Sequence, residues 1–162
     1  MPLVPFETLP DDARVWVFAG DRPITGSDAT RLLDAVDTYL ARWKAHGEPL
    51  TVARTFTEDR FLTVAVDQRA SHASGCSVDG LFRTLKEVER DAGVSLVGAG
   101  RVHYRDADGS VRSVERGDFG DLAAAGRVAA DTPVFDPTVT TLGEWRKRFE
   151  TKVGESWHAQ LL

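Results

Sequence analysis

Two apolar segments that are separated by only two residues place the strongest constraint on how this chain folds. The segments span residues 51–57 and 60–66, and Glu58 and Asp59 lie between them. Because a two-residue connection joins antiparallel neighbours, this spacing predicts a tight β-hairpin. Side chains of a strand point alternately to opposite faces. The second strand is therefore predicted to present Leu62, Val64 and Val66 on one face and Phe61, Thr63 and Ala65 on the other.

The elements on either side of the hairpin predict a mixed fold. Residues 14–19 are apolar at five of six positions, as expected of a strand that is covered on both faces. Ser27 or Asp28 is predicted to cap a helix, because apolar residues then recur at helical spacing. After the hairpin, a second amphipathic helix over about 77–92 precedes a strand at 101–105. This order predicts an α+β fold with a ferredoxin-like βαββαβ core.

The predicted core leaves one face of its sheet without a cover. In a ferredoxin-like fold two helices cover one face, and Trp16 and Phe18, with Phe61 beside them, would remain exposed on the other. A C-terminal extension that carries Trp145, Phe149 and Trp157 can supply the cover, and so can a second subunit. A monomer and a homodimer are therefore both compatible with the sequence.

The C-terminal extension is predicted to contain regular structure of its own. Its expected elements are a short helix near 119–125, a strand near 132–135 and a helix near 141–150. No repeat or low-complexity tract divides the chain. We therefore expect a single α+β domain over residues 1–162, with the core at about 14–114 and the extension at about 115–162.

Composition excludes several classes of protein. With 162 residues, 42% hydrophobic and 28% charged side chains, the chain has the make-up of an ordinary globular domain. No apolar run approaches the ~20 residues of a membrane helix, and the first residues lack the basic and apolar regions of a signal peptide. The single Cys76 excludes an intramolecular disulfide. We therefore expect a cytoplasmic protein that does not associate with membranes.

The charge distribution argues against a nucleic-acid partner. The net charge is −5, and lysine and arginine form no continuous run. RNA-recognition domains share the predicted fold and stack bases on strand aromatics, at positions that Trp16, Phe18 and Phe61 roughly occupy. However, the strand at 60–66 lacks the glycine and the second aromatic residue of the RNA-binding pattern. Core packing is the better explanation of these rings.

The segment 67–80 is the strongest candidate site in the sequence. It contains Cys76 and leads into the second predicted helix at Ser77. Unpaired backbone N–H groups at a helix entry can hold an anion. We therefore expect a binding domain that holds a small anionic ligand or the carboxylate of a protein partner. The residues expected to form this site are Asp67, Ser74, Gly75, Ser77, Asp79 and Trp157.

A cysteine-dependent enzyme is the alternative function. Cys76 lies directly before the predicted helix, where the helix dipole lowers the pKa of a thiol. Acyl or thiol transfer also needs a base, and His72 and His158 are the candidates. His46 has a structural explanation at the end of the first helix, and His103 is predicted to lie on an open sheet face. A buried, unreactive thiol is the simpler interpretation, so the sequence leaves open whether the chain is an enzyme.

The sequence predicts neither a metal nor a cofactor. Asp67, His72 and Asp79 have suitable ligand chemistry, but their spacing matches no metal-binding motif. The chain contains no Gly-x-x-x-x-Gly-Lys-[Ser/Thr] phosphate loop, and Gly98-Ala-Gly-Arg101 is too short a match for a dinucleotide motif. ATP hydrolysis of the P-loop kind is therefore not expected.

Four short motifs are distinctive and together span most of the chain. They are Ala45-His-Gly-Glu-Pro-Leu50, Arg60-Phe61 leading to Val66-Asp67, Ala73-Ser-Gly-Cys-Ser-Val-Asp79 and Glu155-Ser-Trp-His158. In these motifs the chain resembles a family of small uncharacterised bacterial proteins that are often labelled "ABC transporter ATPase". The resemblance implies a bacterial protein but assigns no catalytic residue. The label itself disagrees with the missing phosphate loop.

Overall fold

In a computed structural model, the described part of the chain forms two main antiparallel β-sheets, a short two-stranded antiparallel sheet at residues 44–49 and four α-helices. The model describes residues 4–45, 48–49, 51–68, 75–96 and 100–162, without the side chains of 44–45, 48–49 and 75–77. In chain order the elements are β1 (Arg14–Ala19), α1 (Gly26–Ala41), β2 (Lys44–Ala45), β3 (Glu48–Pro49), β4 (Thr51–Thr57), β5 (Phe61–Asp67), α2 (Gly75–Ala92), β6 (Arg101–Arg105), β7 (Val111–Glu115), α3 (Arg116–Ala124), β8 (Pro133–Phe135), α4 (Leu142–Arg148) and β9 (Glu150–Lys152).

The first sheet is built on the predicted hairpin and has the strand order β1-β5-β4. Glu58 and Asp59 form the turn with φ angles of 58° and 55°. Positive φ at both central residues is the geometry of a type I′ turn, whose twist matches that of the two strands. Arg60 N donates to Thr57 O at 3.0 Å, and Thr57 pairs with Phe61, so Arg60 also belongs to the connection. The hairpin is therefore confirmed, with three residues between its strands instead of the predicted two.

The two faces of β5 point into different cores. Leu62, Val64 and Val66 pack against both long helices, whereas Phe61 and Ala65 pack against the C-terminal part of the chain, as the alternation predicts. The remaining core side chains on the helix side include Phe18, Leu32, Val36, Leu40, Leu81 and Leu85.

The placement of Phe61 beside Trp16 and Phe18 is wrong. In the β1–β5 ladder Phe61 pairs with Ala19, while Phe18 pairs with Leu62. Because directly opposed residues share a face, Trp16 and Phe18 lie under the helices and Phe61 lies on the other side. A shift of one residue in register moves a whole set of side chains across the sheet.

The second sheet, with the order β7-β6-β8-β9, covers the Phe61 face. The Phe61 ring lies 4.6 Å from the Phe135 ring and 5.2 Å from the Phe149 ring, measured between centroids. Trp145 Nε1 donates a hydrogen bond of 3.1 Å to Thr63 Oγ1. Aromatic and apolar side chains of the C-terminal extension thus supply the cover that the sequence requires.

The strand order does not confirm the ferredoxin-like arrangement. The fourth strand of that fold would be β6, but β6 pairs with β7 on one edge and with β8 on the other. A strand has only two edges, so β6 cannot also pair with β1. The first sheet keeps three strands, and β1 forms one of its edges.

The two long helices lie on the first sheet. The α1 helix begins at Gly26 with Thr25 at its N-cap position, so the prediction that Ser27 or Asp28 caps it is wrong. The α2 helix begins at Gly75, two residues before its predicted start. Gly80 allows the helices to approach closely, because a Cβ there would meet Tyr39 Oη at 2.2 Å. Within the part of the chain that the model describes, no helix is long and apolar enough to cross a membrane.

Replacing Phe61 with alanine should cost about 3–5 kcal/mol of unfolding free energy, since the ring is fully buried between the two sheets. Urea denaturation of Phe61→Ala and of Phe56→Ala measures the difference. Phe56 is only half-buried on β4, so its truncation should cost clearly less. Equal losses would show that the Phe61 contacts do not hold the sheets together.

Candidate functional site

A cavity of about 340 Å³ lies beside the free edge of β1. This volume is within the range of small-ligand pockets. Strand β1 forms one wall along its whole length, from Arg14 to Ala19. The other walls contain Asp21, Phe82, Ser95, Leu96, Gly100, Arg101, His103, Arg116, Pro137, Thr138, Val139, Thr140 and Trp157.

The edge of β1 that faces the cavity is bonded only near its two ends. At one end Val15 N donates to Thr140 O at 3.0 Å. At the other end, beyond the strand, Asp21 N donates to Ser95 O at 3.0 Å. Backbone polar groups of a strand alternate between its two edges, so Val17 and Ala19 point to the same side as Val15. In the described residues neither of them has a backbone partner on that side.

Three arginine side chains give the cavity a positive charge. Arg14, Arg101 and Arg116 line it together with a single carboxylate, that of Asp21. The Arg14 guanidinium lies 5.3 Å from the Trp16 ring centroid, and that of Arg116 lies 5.1 Å from the Trp157 ring centroid. Such cation–π contacts orient a guanidinium while leaving its N–H groups free to donate. This concentration of positive charge occurs in a chain whose net charge is −5.

The cavity arginines have no carboxylate partner among the described residues, in contrast to Arg54, Arg105 and Arg146. Arg101 donates from Nε to Ser113 Oγ at 2.7 Å and from Nη2 to Ser113 O at 2.9 Å, so its Nη1 makes no such bond. By contrast, the guanidinium of Arg105 lies 2.8 Å from Glu150 Oε2. Unpaired guanidiniums at the wall of a cavity are available to an anionic ligand.

His103 forms the buried polar part of the cavity wall. Its side chain is 3% exposed, and its Nδ1 has no hydrogen-bond partner in the described structure. Burial is the largest cause that lowers the pKa of His103 to about 4, and the charges of Arg60 and Arg101 contribute in the same direction. The imidazole is therefore neutral at pH 7. One ring nitrogen of a neutral imidazole donates and the other accepts, so His103 can offer either role to a ligand.

The prediction that His103 lies on an open sheet face is wrong. The ring stands edge-on to Phe61, with the centroids 5.4 Å apart, in the interface between the two sheets. The second sheet covers the Phe61 face, and β6 is the strand that carries His103 into that interface. The alternation of Arg101, His103 and Arg105 describes one face of β6 correctly, but it does not show that another sheet packs there.

Trp157 is held at the cavity wall by a buried carboxylate. Trp157 Nε1 donates to Asp136 Oδ1 at 3.2 Å, and Asp136 is 1% exposed. Burial works to raise the pKa of Asp136, but hydrogen bonds from Thr138 and Trp157 and the charge of Arg148 lower it overall. Arg148 Nη1 lies 2.5 Å from Asp136 Oδ2. The ionised Asp136 thus fixes the indole through a charge-assisted hydrogen bond.

His158 lies outside the cavity lining and is completely buried. Its Nδ1 lies 2.6 Å from Ser156 Oγ, and its Nε2 has no partner in the described structure. The pKa of His158 is lowered to about 4, mainly by burial and also by the charge of Arg116, while the charge of Asp136 acts in the opposite direction. The ring is therefore neutral at pH 7 and out of contact with solvent.

The structure places few of the residues predicted for the 67–80 site. Asp67 ends β5, Gly75 begins α2 and Asp79 is exposed on that helix. Cys76 and Ser77 belong to the first turn of α2, but their side chains lie outside the described residues, as do His72 and Ser74 entirely. Catalysis by Cys76 with His72 or His158 as base therefore stays a prediction. Of the predicted set, Trp157 lines the cavity.

The cavity contains residues that the sequence did not single out as a site. Arg14, Phe82, Arg101 and Arg116 come from four different elements, and no spacing in the sequence connects them. The one available signal was the polar alternation on β6, since three polar side chains on one face of an otherwise apolar strand require an explanation.

No group of three or more histidine, cysteine or acidic side chains in the described part of the chain could hold a metal ion.

The two buried histidines should make the protein less stable in mild acid. Their folded pKa values of about 4 lie below the unfolded value of about 6.5. Between these pH values the unfolded chain binds more protons than the folded protein does. The free energy of unfolding therefore has its full value above about pH 6.5 and falls as the pH drops toward about 4. The loss should be roughly 3 kcal/mol per histidine.

Urea unfolding at a series of pH values measures this loss. His103→Gln and His158→Gln should each reduce the slope of unfolding free energy against pH, because each removes one group that must remain neutral when folded. Slopes that are unchanged in both variants would contradict the lowered pKa values of the two histidines in the folded protein.

Comparisons of the chain with known proteins give no match. This holds for family models, for curated proteins and for solved structures. The resemblance in the four sequence motifs therefore stays a prediction, and the geometry of the cavity carries the functional argument.

Proposed function

We propose that this chain is a binding protein whose cavity beside β1 holds an organic anion with an apolar body. The observation that carries the proposal is the group of three cavity arginines without carboxylate partners in the described structure. The proposal keeps the anionic ligand expected from the sequence. It moves the site from the 67–80 segment to the cavity, where Trp157 is the shared residue.

The charges favour an anion as ligand. An arginine fork donates parallel hydrogen bonds to a carboxylate or phosphate, and these bonds are strengthened where water is partly excluded. Arg101 is half-buried and is already oriented by Ser113, so binding would cost it little side-chain entropy. Neutral His103 adds a hydrogen-bonding group without adding charge.

The apolar walls favour a ligand with a hydrophobic or aromatic part. Trp16, Phe82, Leu96 and Val139 line the cavity between the charged positions. Such side chains favour apolar contact because it removes hydrocarbon surface from water. A free inorganic anion would use the arginines but would leave these walls unoccupied.

The position of the cavity is consistent with a modified ferredoxin-like core. We infer that β1, β5 and β4, with α1 and α2, correspond to the first part of such a core. The cavity then occupies the place beside β1 where the fourth strand of that fold would pair. This correspondence, the bacterial origin and the cytoplasmic location remain proposals.

Fluorescence titration with anilinonaphthalene sulfonate, an aromatic anion, tests the proposal. The dye should bind the wild-type protein with about tenfold or greater preference over N-phenylnaphthylamine, which has the same aromatic frame without the sulfonate. Removing a charged hydrogen-bonding partner typically costs a factor of about ten or more. Arg101→Gln and Arg116→Gln should therefore each weaken sulfonate binding by about tenfold and leave N-phenylnaphthylamine binding nearly unchanged.

Arg31→Gln is the matched control, because Arg31 is exposed on α1 and lies outside the cavity lining. It should bind the sulfonate as the wild type does. Equal affinity for the charged and neutral dyes, or equal losses in all three variants, would contradict an anion site in the cavity.

A further inference from the structure

We propose that the natural occupant of the cavity is the C-terminal end of a polypeptide, which adds to the free edge of β1 as an extended strand and places its terminal carboxylate at Arg101 and Arg116. This inference rests on the proposed anion-binding function and names the class of ligand. A protein partner that offers a carboxylate is one of the ligands that the sequence leads us to expect.

The backbone of β1 offers unpaired hydrogen-bonding groups to an added strand. Val17 and Ala19 point their N–H and C=O groups toward the cavity, and no strand in the described structure pairs with them there. An unpaired strand edge is a template for another extended chain. Peptide recognition by strand addition uses such an edge, with main-chain hydrogen bonds providing affinity.

The unpaired part of this edge is short. Val15 N is bonded to Thr140 O on one side, and Asp21 N is bonded to Ser95 O on the other. The unpaired stretch between them therefore covers only the Val17–Ala19 region. A long strand from a second folded copy would collide with the chain segments that are hydrogen-bonded at both ends of this edge, whereas the end of a chain can enter between them.

Two arginines at one end of this stretch complement the charge of a terminal carboxylate. Arg101 and Arg116 lie near each other, because Arg101 pairs with Glu115 across the β6–β7 ladder and Arg116 follows Glu115. Both arginines also line a neighbouring depression together with Asp21, Ser95 and Glu115, which places them toward the C-terminal end of β1. A terminal carboxylate that lies between two guanidiniums satisfies both, and the added peptide then runs parallel to β1.

The remaining cavity walls suit the side chains of such a peptide. Side chains of an added strand alternate between the two sides of the sheet. On the helix side they would meet Trp16 and Phe82, and on the other side they would meet Val139 and His103. The unpartnered Nδ1 of His103 is suited to a polar group at the second position. We therefore expect mainly apolar side chains near the carboxylate.

Hydrogen exchange on the wild-type protein tests the backbone pairing directly. The probe is a library of N-acetylated pentapeptides that is randomised over valine, leucine, phenylalanine and threonine and ends in a free carboxylate. Saturating peptide should slow exchange of the Val17 and Ala19 amides by at least tenfold. The Trp16 and Phe18 amides, which point toward β5, are the internal control and should change much less.

Two matched libraries test the carboxylate contact and the backbone hydrogen bonds separately. Amidated C-termini should weaken displacement of anilinonaphthalene sulfonate by about tenfold, because the carboxylate contact with Arg101 and Arg116 is lost. N-methylation of the backbone amides should weaken displacement to a similar extent, because each methyl group removes a donor and obstructs the ladder.

The outcomes separate this inference from the proposed function. If anilinonaphthalene sulfonate binds as proposed but free-acid peptides neither displace it nor protect Val17 and Ala19, the strand-addition inference is wrong and anion binding stands. Displacement that is insensitive to N-methylation or to amidation also overturns the inference. If the dye does not bind in the cavity, the proposed function itself fails.

Discussion

Burial of β5 on both of its faces is the constraint on which the rest of the structure depends. Every side chain from Phe61 to Val66 is buried, so the strand needs a cover on each side. The helices α1 and α2 provide one cover, and the second sheet provides the other. Removal of this apolar surface from water is the main favourable contribution to folding, and it decides where the C-terminal part of the chain must pack.

The free edge of β1 follows from this packing. The strand β6 belongs to the sheet that covers Phe61, where β7 and β8 occupy both of its edges. It therefore cannot complete the first sheet. The loop around Thr140 and the segment around Ser95 bond to the chain at the two ends of this edge and leave Val17 and Ala19 between them. The cavity thus exists because β6 pairs with β7 and β8 and not with β1, and no single sequence motif forms it.

Local chemistry made several elements predictable from the sequence. Two residues between apolar strands allow only a hairpin, and the alternation along residues 61–66 assigned each side chain to the correct face. The relation between β1 and β5 was not predictable in the same way, because no turn connects these strands and one residue of register exchanges the faces. Trp16 and Phe18 therefore lie on the helix side, opposite to Phe61. His103 was misplaced for a similar reason, since the sequence of β6 does not show what packs on it.

The sequence by itself determined most of the described helices and strands, and the need for a cover on each side of the first sheet. Only the tertiary structure decided which charged side chains line the cavity. Arg14, Arg101 and Arg116 are far apart in the chain, and their charges reinforce one another only because two sheets bring them to one cavity. Hairpins and amphipathic helices depend on neighbours in sequence, which a pattern records. The pairing of distant strands depends on the total surface buried by the whole chain, which no local pattern contains.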